Sequence, residues 1–202
     1  NCSFMNSKSD GILSSTTRAH HFKTVTFDSC SFTSQAGWTV QTQDATDFTF
    51  TNNKLIDCER GFNLVGTYKN ITISNNTVKL FNAAKSNFIQ FGGAKVADYE
   101  SITVSNNKVE NANAALVLHD SMAGIKTGSA GDSLEIIKQN VNLDLIKSKF
   151  KFNNNSYVNL SASTLAIADP DLATEYTNSE TNDAAVVAYF NELANGMSAY
   201  IK

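Results

Sequence analysis

Proline is almost missing from this chain: Pro170 is the only one in 202 residues. Proline removes a ladder hydrogen bond and is kept out of central strands, so its scarcity leaves the sequence before position 170 free to be strand throughout. Arginine is nearly as rare, with Arg18 and Arg60 alone, which limits two-pronged recognition of carboxylates. There is no run of lysine and arginine, and the formal charge is −3. Nucleic acid is thereby excluded as the main partner, because a phosphate backbone calls for a basic stripe. No apolar run is long enough to span a membrane and none reads as a signal peptide. The three cysteines form no CxxC and no Cys/His cluster, so no metal site is read from them.

What is present is a repeat. Val25-Thr26-Phe27-Asp28-Ser29-Cys30, Phe48-Thr49-Phe50-Thr51-Asn52-Asn53, Ile71-Thr72-Ile73-Ser74-Asn75-Asn76, Ile102-Thr103-Val104-Ser105-Asn106-Asn107 and Phe150-Lys151-Phe152-Asn153-Asn154-Asn155 can be laid over one another. Each is a short alternating strand that runs into a polar turn, and the first three begin 23 residues apart. A constant period of that size is the mark of a solenoid. In one unit Ile71 and Ile73 point inward, Asn75 and Asn76 turn the corner, Val78 and Leu80 point inward again, and Ile89 and Phe91 form a third inward pair. Three strands per turn with no helix between them predict a three-sided parallel coil. An apolar content of 42% with thirteen phenylalanines supplies its core.

Asparagine suits the corner because it tolerates positive φ, and identical amides stacked about 4.8 Å apart form a hydrogen-bonded ladder. Asn53, Asn76, Asn107 and Asn155 fall in one column, and the same alignment puts Cys30 and Cys2 in it toward the N-terminus. On these residues the chain resembles the right-handed parallel β-helix proteins of the pectate-lyase-like superfamily, over roughly residues 1 to 169. The expected architecture is all-β: a right-handed, single-stranded parallel β-helix of about six coils with an Asn ladder, followed by a C-terminal amphipathic helix. The expected division is a β-helix over 1–169 with a corner insertion at about 121–149, a polar linker over 170–182, and a helix over 183–202.

Within the insertion Leu134, Ile136, Ile137, Val141, Leu143, Leu145 and Ile146 are apolar enough to pack on the coil's flank, the alternative being a functional loop. Val186, Phe190, Leu193, Met197 and Tyr200 recur at helical spacing, which reads as a cap over the last coil or a partner-docking face. The opening Asn1-Cys2-Ser3-Phe4 aligns with a turn and the strand after it, from which the chain is expected to be part of a longer protein. Cys2 and Cys30, in neighbouring rungs, are spaced for a disulfide without ideal side-chain vectors, and Cys58 has no evident mate. Five Asn-x-Ser/Thr sequons, Asn70-Ile71-Thr72 and Asn75-Asn76-Thr77 among them, are assigned mostly to the ladder.

The resemblance implies a site on the outer face of the strand after the third corner, built from acidic, often calcium-binding residues with a basic partner. The outward positions there include Leu13 or Ser15, Thr39, Gln41, Asn63, Val65, Gln90, Val117 and His119. That face is polar and nearly uncharged, whereas proton abstraction beside a carboxylate needs a base and a cation, and glycoside hydrolysis needs paired carboxylates. The catalytic candidates left are Asp57, Glu59 and Arg60 at one corner and His119-Asp120 at a strand end, with Asp44 and Asp47 in reach. Arg18, His20 and His21 read as an exposed basic loop. Two classes follow. One is a rigid structural or glycan-binding rod with Thr39, Gln41, Asn63 and Gln90 as its face beside Tyr68 and Tyr99. The other is a polysaccharide lyase or glycoside hydrolase. The non-enzymatic class leads; no cofactor is evident, and calcium enters only with the enzyme. The expected setting, on resemblance alone, is extracellular or at a cell surface, with polysaccharide or cell-surface glycan as partner.

Overall fold

The computed structural model describes residues 1–13, 22–84, 86–118, 134–160, 165–167 and 184–201. Fifteen strands follow in order: β1 (Ser3–Met5), β2 (Ile12–Leu13), β3 (Phe22–Asp28), β4 (Ser31–Thr33), β5 (Trp38–Thr51), β6 (Lys54–Cys58), β7 (Arg60–Ser74), β8 (Thr77–Leu80), β9 (Ile89–Gly92), β10 (Ser101–Ser105), β11 (Lys108–Glu110), β12 (Leu116–Leu118), β13 (Phe150–Asn153), β14 (Ser156–Val158) and β15 (Leu165–Ile167). All pairings are parallel and link equivalent positions of successive turns, as in Phe48↔Ile71, Ile71↔Ile102 and Ile102↔Phe150. β1-β4-β6-β8-β11-β14 form one face of the solenoid. A second face holds β3, the latter part of β5, the latter part of β7, β10 and β13. The third holds β2, the first parts of β5 and β7, then β9, β12 and β15. Four successive turns run from residue 22 to 118, with a partial turn before them and another after the insertion. The count of about six coils thus resolves into four turns plus these flanking parts.

Two strands are longer than the sequence suggests. β5 has 14 residues and β7 has 15, because the corner between the third strand of one turn and the first of the next is a bend rather than a break. Asp44 bends β5 with φ 45°, beside a register shift between Gln43 and Ala45, and Gly66 bends β7 with φ 97°. A side chain at position 66 would meet the Asp44 carboxylate, so glycine is required there on two counts.

The asparagine pair divides its work. The first member takes the left-handed backbone: Asn52, Asn75, Asn106 and Asn154 have φ of 59°, 58°, 56° and 55°, and Ser29 fills the position at 55°. The second member builds the ladder. The Asn53 Oδ1 accepts from the Cys30 N–H at 2.7 Å, Asn76 from Asn53 at 2.9 Å, Asn107 from Asn76 at 3.1 Å and Asn155 from Asn107 at 3.1 Å. Each amide also donates back to a strand carbonyl of the preceding turn, on Phe27, Phe50, Ile73 and Val104 in order. The sequons are therefore not rungs: Asn75 and Asn154 are left-handed corner residues, and Asn70 donates to the Asp47 carboxylate. All three cysteines are free, with Cys30 and Cys58 buried.

Inside the coil, Phe4 stacks on Phe32 of the next turn at 4.8 Å between centroids, and Phe50 meets Phe62 edge-on across one turn at 4.7 Å. Among the described residues three helices close the C-terminal end: α1 (Leu134–Asn140), α2 (Leu143–Lys149) and α3 (Ala184–Ser198). Ile137, Val141 and Ile146 are buried while Ile136 is exposed, so this part of the insertion packs rather than projects. α3 lies against β15 and buries Leu193 and Met197, and the Tyr200 hydroxyl donates to the Phe150 carbonyl at 2.7 Å. Among the described residues no helix is long and apolar enough to cross a membrane.

Candidate functional site

A second column of positive φ marks the corner that leads into the third face: Asn6, Ser34, Asp57, Asn111 and Asn159. Asp57, a catalytic candidate, is thus also a corner residue at φ 54°. Over three successive turns this corner opens into a depression of about 420 Å3 lined by Ser34, Gln35, Ala36, Asp57, Glu59, Phe81 and Asn82. Backbone bonds hold the turns together there, from the Ser34 N–H to the Ile56 carbonyl at 3.0 Å, Glu59 to Gln35 at 2.8 Å and Phe81 to Cys58 at 2.8 Å. Phe81 is 71% exposed, a large apolar ring left at the rim. Beneath it Gln35 is buried, donating to the carbonyls of Phe4 and Thr33.

The structure brings Asp57 and Glu59 together and leaves Arg60 outside the depression, its guanidinium 5.4 Å from the Trp38 ring centroid. Gln41, Asn63 and Gln90 do stack on the outer side of the third face, with the Asn63 amide donating to the Gln41 Oε1 at 3.1 Å. Gln41 and Asn63 are half-buried, and Gln90 is buried. Thr39 is also buried, its hydroxyl spent on the Arg60 carbonyl at 2.8 Å. Asp44 accepts from the Thr67 N–H and Asp47 from the Asn70 amide. His119, Asp120, Arg18, His20 and His21 lie outside the described residues. Among the described residues no three His, Cys, Asp or Glu side chains are grouped to hold a metal ion.

Tyr68 and Tyr99 are not part of any outer face. Both rings are enclosed in the core, stacked at 6.4 Å and 5° to one another, with hydroxyls donating to the carbonyls of Thr42 and Gly66. Burial pushes both phenols well above their ordinary value. A group held neutral in the folded state contributes stability that is intact below its unfolded pKa near 10 and is lost as pH rises from there toward the folded value. Urea melts at stepped pH are expected to stay level up to about pH 9, to turn down near pH 10 and above it to lose about 1.4 kcal/mol per pH unit for each of the two tyrosines. Replacing both with phenylalanine should remove their share of the fall and leave that of Tyr157, whose phenol burial also raises.

A parallel three-faced coil whose turns are tied by an internal ladder defines a known family, and the family model for the right-handed beta helix region matches residues 1–130. The chain belongs to that family. No curated protein and no solved structure matches this β-helix. The depression's other residues, Ser34, Gln35, Ala36, Phe81 and Asn82, were not among the candidates because the corner at Asp57 and Glu59 was considered alone and not stacked on the same corner of the turns before and after it. The signal was there: Ser34 precedes Asp57 by one period and Phe81 follows it by nearly one.

Proposed function

We propose that this β-helix is a rigid extracellular or cell-surface module that binds glycan, with the corner depression as its sugar site. The observation that carries the reading is the exposed Phe81 ring beside Asp57, Glu59, Asn82 and Ser34 on three stacked turns. An aromatic face covers the C–H side of a sugar, while carboxylates, an amide and a hydroxyl meet its hydroxyl groups. Stacked corners hold these groups at a fixed spacing of about 4.8 Å per turn, so little order has to be gained on binding. Two carboxylates with no lysine or arginine in the lining favour a neutral or amino sugar over a uronate. The cell-surface setting follows from the resemblance to proteins that meet polysaccharide there.

A second reading has one specific observation behind it. Asp57 and Glu59 share the depression, and a glycoside hydrolase works with such a pair. A panel of neutral, amino and acidic oligosaccharides, with and without calcium, tests both readings by calorimetry and by product analysis. Binding without turnover is the expected result. Phe81→Ala should weaken it at least tenfold with no loss of stability, since the ring is largely exposed already. Asp57→Asn, which tolerates the left-handed backbone at 57, should weaken it as well. Product that disappears in Glu59→Gln would transfer the assignment to the hydrolase, and silence across the whole panel would sink the glycan reading.

A further inference from the structure

The two carboxylates of the corner depression are left unanswered by the fold. Several other carboxylates of the coil are answered from within: Asp10 accepts from the Trp38 N–H, Asp28 from Thr51 and Asn52, Asp44 from the Thr67 N–H and Asp47 from the Asn70 amide, while Glu100 pairs with Lys69. Asp57 and Glu59 accept no hydrogen bond and join no ion pair among the described residues. The cations nearest to them in sequence are placed elsewhere. Arg60 is stacked over the Trp38 ring, and Lys54 and Lys79 stand exposed on the outer side of the first face, so that none of the three lines the depression.

Glu59 is half-buried and Asp57 exposed. Half-burial strips part of a carboxylate's hydration, and a charge so placed gains more from a counter-ion than a fully solvated one does. The exposed Phe81 ring lines the same depression from the following turn. The face of an aromatic ring carries partial negative charge and attracts a cation. Carboxylates and ring therefore call for one and the same ligand feature, a positive charge on a partly apolar frame. Asn82 and Ser34 add neutral groups that can donate to and accept from hydroxyls.

From this arrangement we infer that the corner depression selects a sugar bearing a free, protonated amine, a glucosamine-type unit, over the same unit with a hydroxyl or an acetylated amine in that place. The inference rests on the sugar-site reading above and narrows it. Asp57 and Glu59 hold the ammonium group, the Phe81 ring covers the apolar side of the sugar beside it, and Asn82 and Ser34 meet hydroxyls. Acetylation removes the charge and leaves both carboxylates to lose water with nothing in return, and a uronate adds a charge of the same sign. A depression of about 420 Å3 at one corner takes a single unit in contact, so what is recognised is the amine and not the length of a polymer.

Short β-linked oligomers of glucosamine, N-acetylglucosamine and glucose share a backbone and differ only in the group at the second carbon, so calorimetry with the three of them, at low and at raised salt, isolates the amine. The unaltered chain should bind the glucosamine oligomer about tenfold more tightly than the other two, the order that two partly exposed ion pairs and a cation–π contact supply together. Raised salt should shrink that advantage. The double variant Asp57→Asn with Glu59→Gln should bind all three oligomers alike, and Phe81→Ala should weaken all three, both at unchanged melting temperature. Should the double variant not fold, Glu59→Gln alone decides, by a several-fold fall in the advantage of the amine. Equal affinities of the unaltered chain for the three oligomers, or a preference for the acetylated or the glucose form, overturn this inference and leave the sugar site standing. An advantage of the amine that the double variant keeps places the ammonium group elsewhere on a chain of net charge −3 and overturns it as well. A lysine peptide bound as tightly as the glucosamine oligomer would make the depression a site for amines in general, and no binding of any oligomer would remove the sugar site itself; either result overturns the inference with it.

Discussion

Asn76→Ala is expected to lower the unfolding free energy by about 3 to 5 kcal/mol, read as a fall in the urea midpoint. The Asn76 side chain sits mid-ladder and serves both neighbours. It accepts from the Asn53 N–H at 2.9 Å and donates to the Phe50 carbonyl at 3.1 Å and the Asn107 Oδ1 at 2.9 Å. Alanine leaves the Asn53 N–H and the Phe50 carbonyl orphaned in a dry interior, at about 1 to 3 kcal/mol each. The total is a large share of a typical domain's stability of about 5 to 15 kcal/mol. Asn75→Ala is the control one residue away: an exposed corner side chain with no rung to lose, it should cost only the strain of φ 58°, about 1 to 2 kcal/mol. Equal effects at 75 and 76 would mean that the ladder contributes nothing beyond corner geometry.

Phe62→Ala should cost a similar amount by a different mechanism. Phe62 is fully buried, edge-on to Phe50 at 4.7 Å and to Phe88 at 5.8 Å, so it links the first and third strands across the coil. Truncation removes its burial and leaves a cavity that stacked, close-packed turns cannot collapse, at about 3 to 5 kcal/mol. Phe62→Leu, which keeps most of the volume, should recover more than half. A urea midpoint for Phe62→Ala within error of the unaltered chain would contradict a continuous aromatic core.

The repeat was legible because its physics is local. Alternation at Ile71-Thr72-Ile73 assigns faces, an Asn pair assigns a corner, and a period of 23 residues brings each corner over the one before. The ladder column at Asn53, Asn76, Asn107 and Asn155 was legible as well, whereas the left-handed backbone of the first member of each pair, φ 58° at Asn75, came only from the structure. The fusion of strands in β5 and β7 was not legible either, because a bend at Asp44 or Gly66 reads in sequence as a break. Tyr68 and Tyr99 read as surface residues because each stands in the connection leading to the next turn, yet both rings are buried, Tyr68 in register with Ala45.

By itself the sequence determined the parallel coil, the placement of its three inward pairs per turn, the ladder column and the C-terminal helix. These follow from side-chain periodicity and from the conformations asparagine and glycine allow. The tertiary structure decided what lies beside what around the circumference. Asp57 and Glu59 became neighbours of Phe81 and Asn82, because stacking turns residues a period apart into contacts. That grouping depends on register and corner geometry, which the residues of any one turn do not contain.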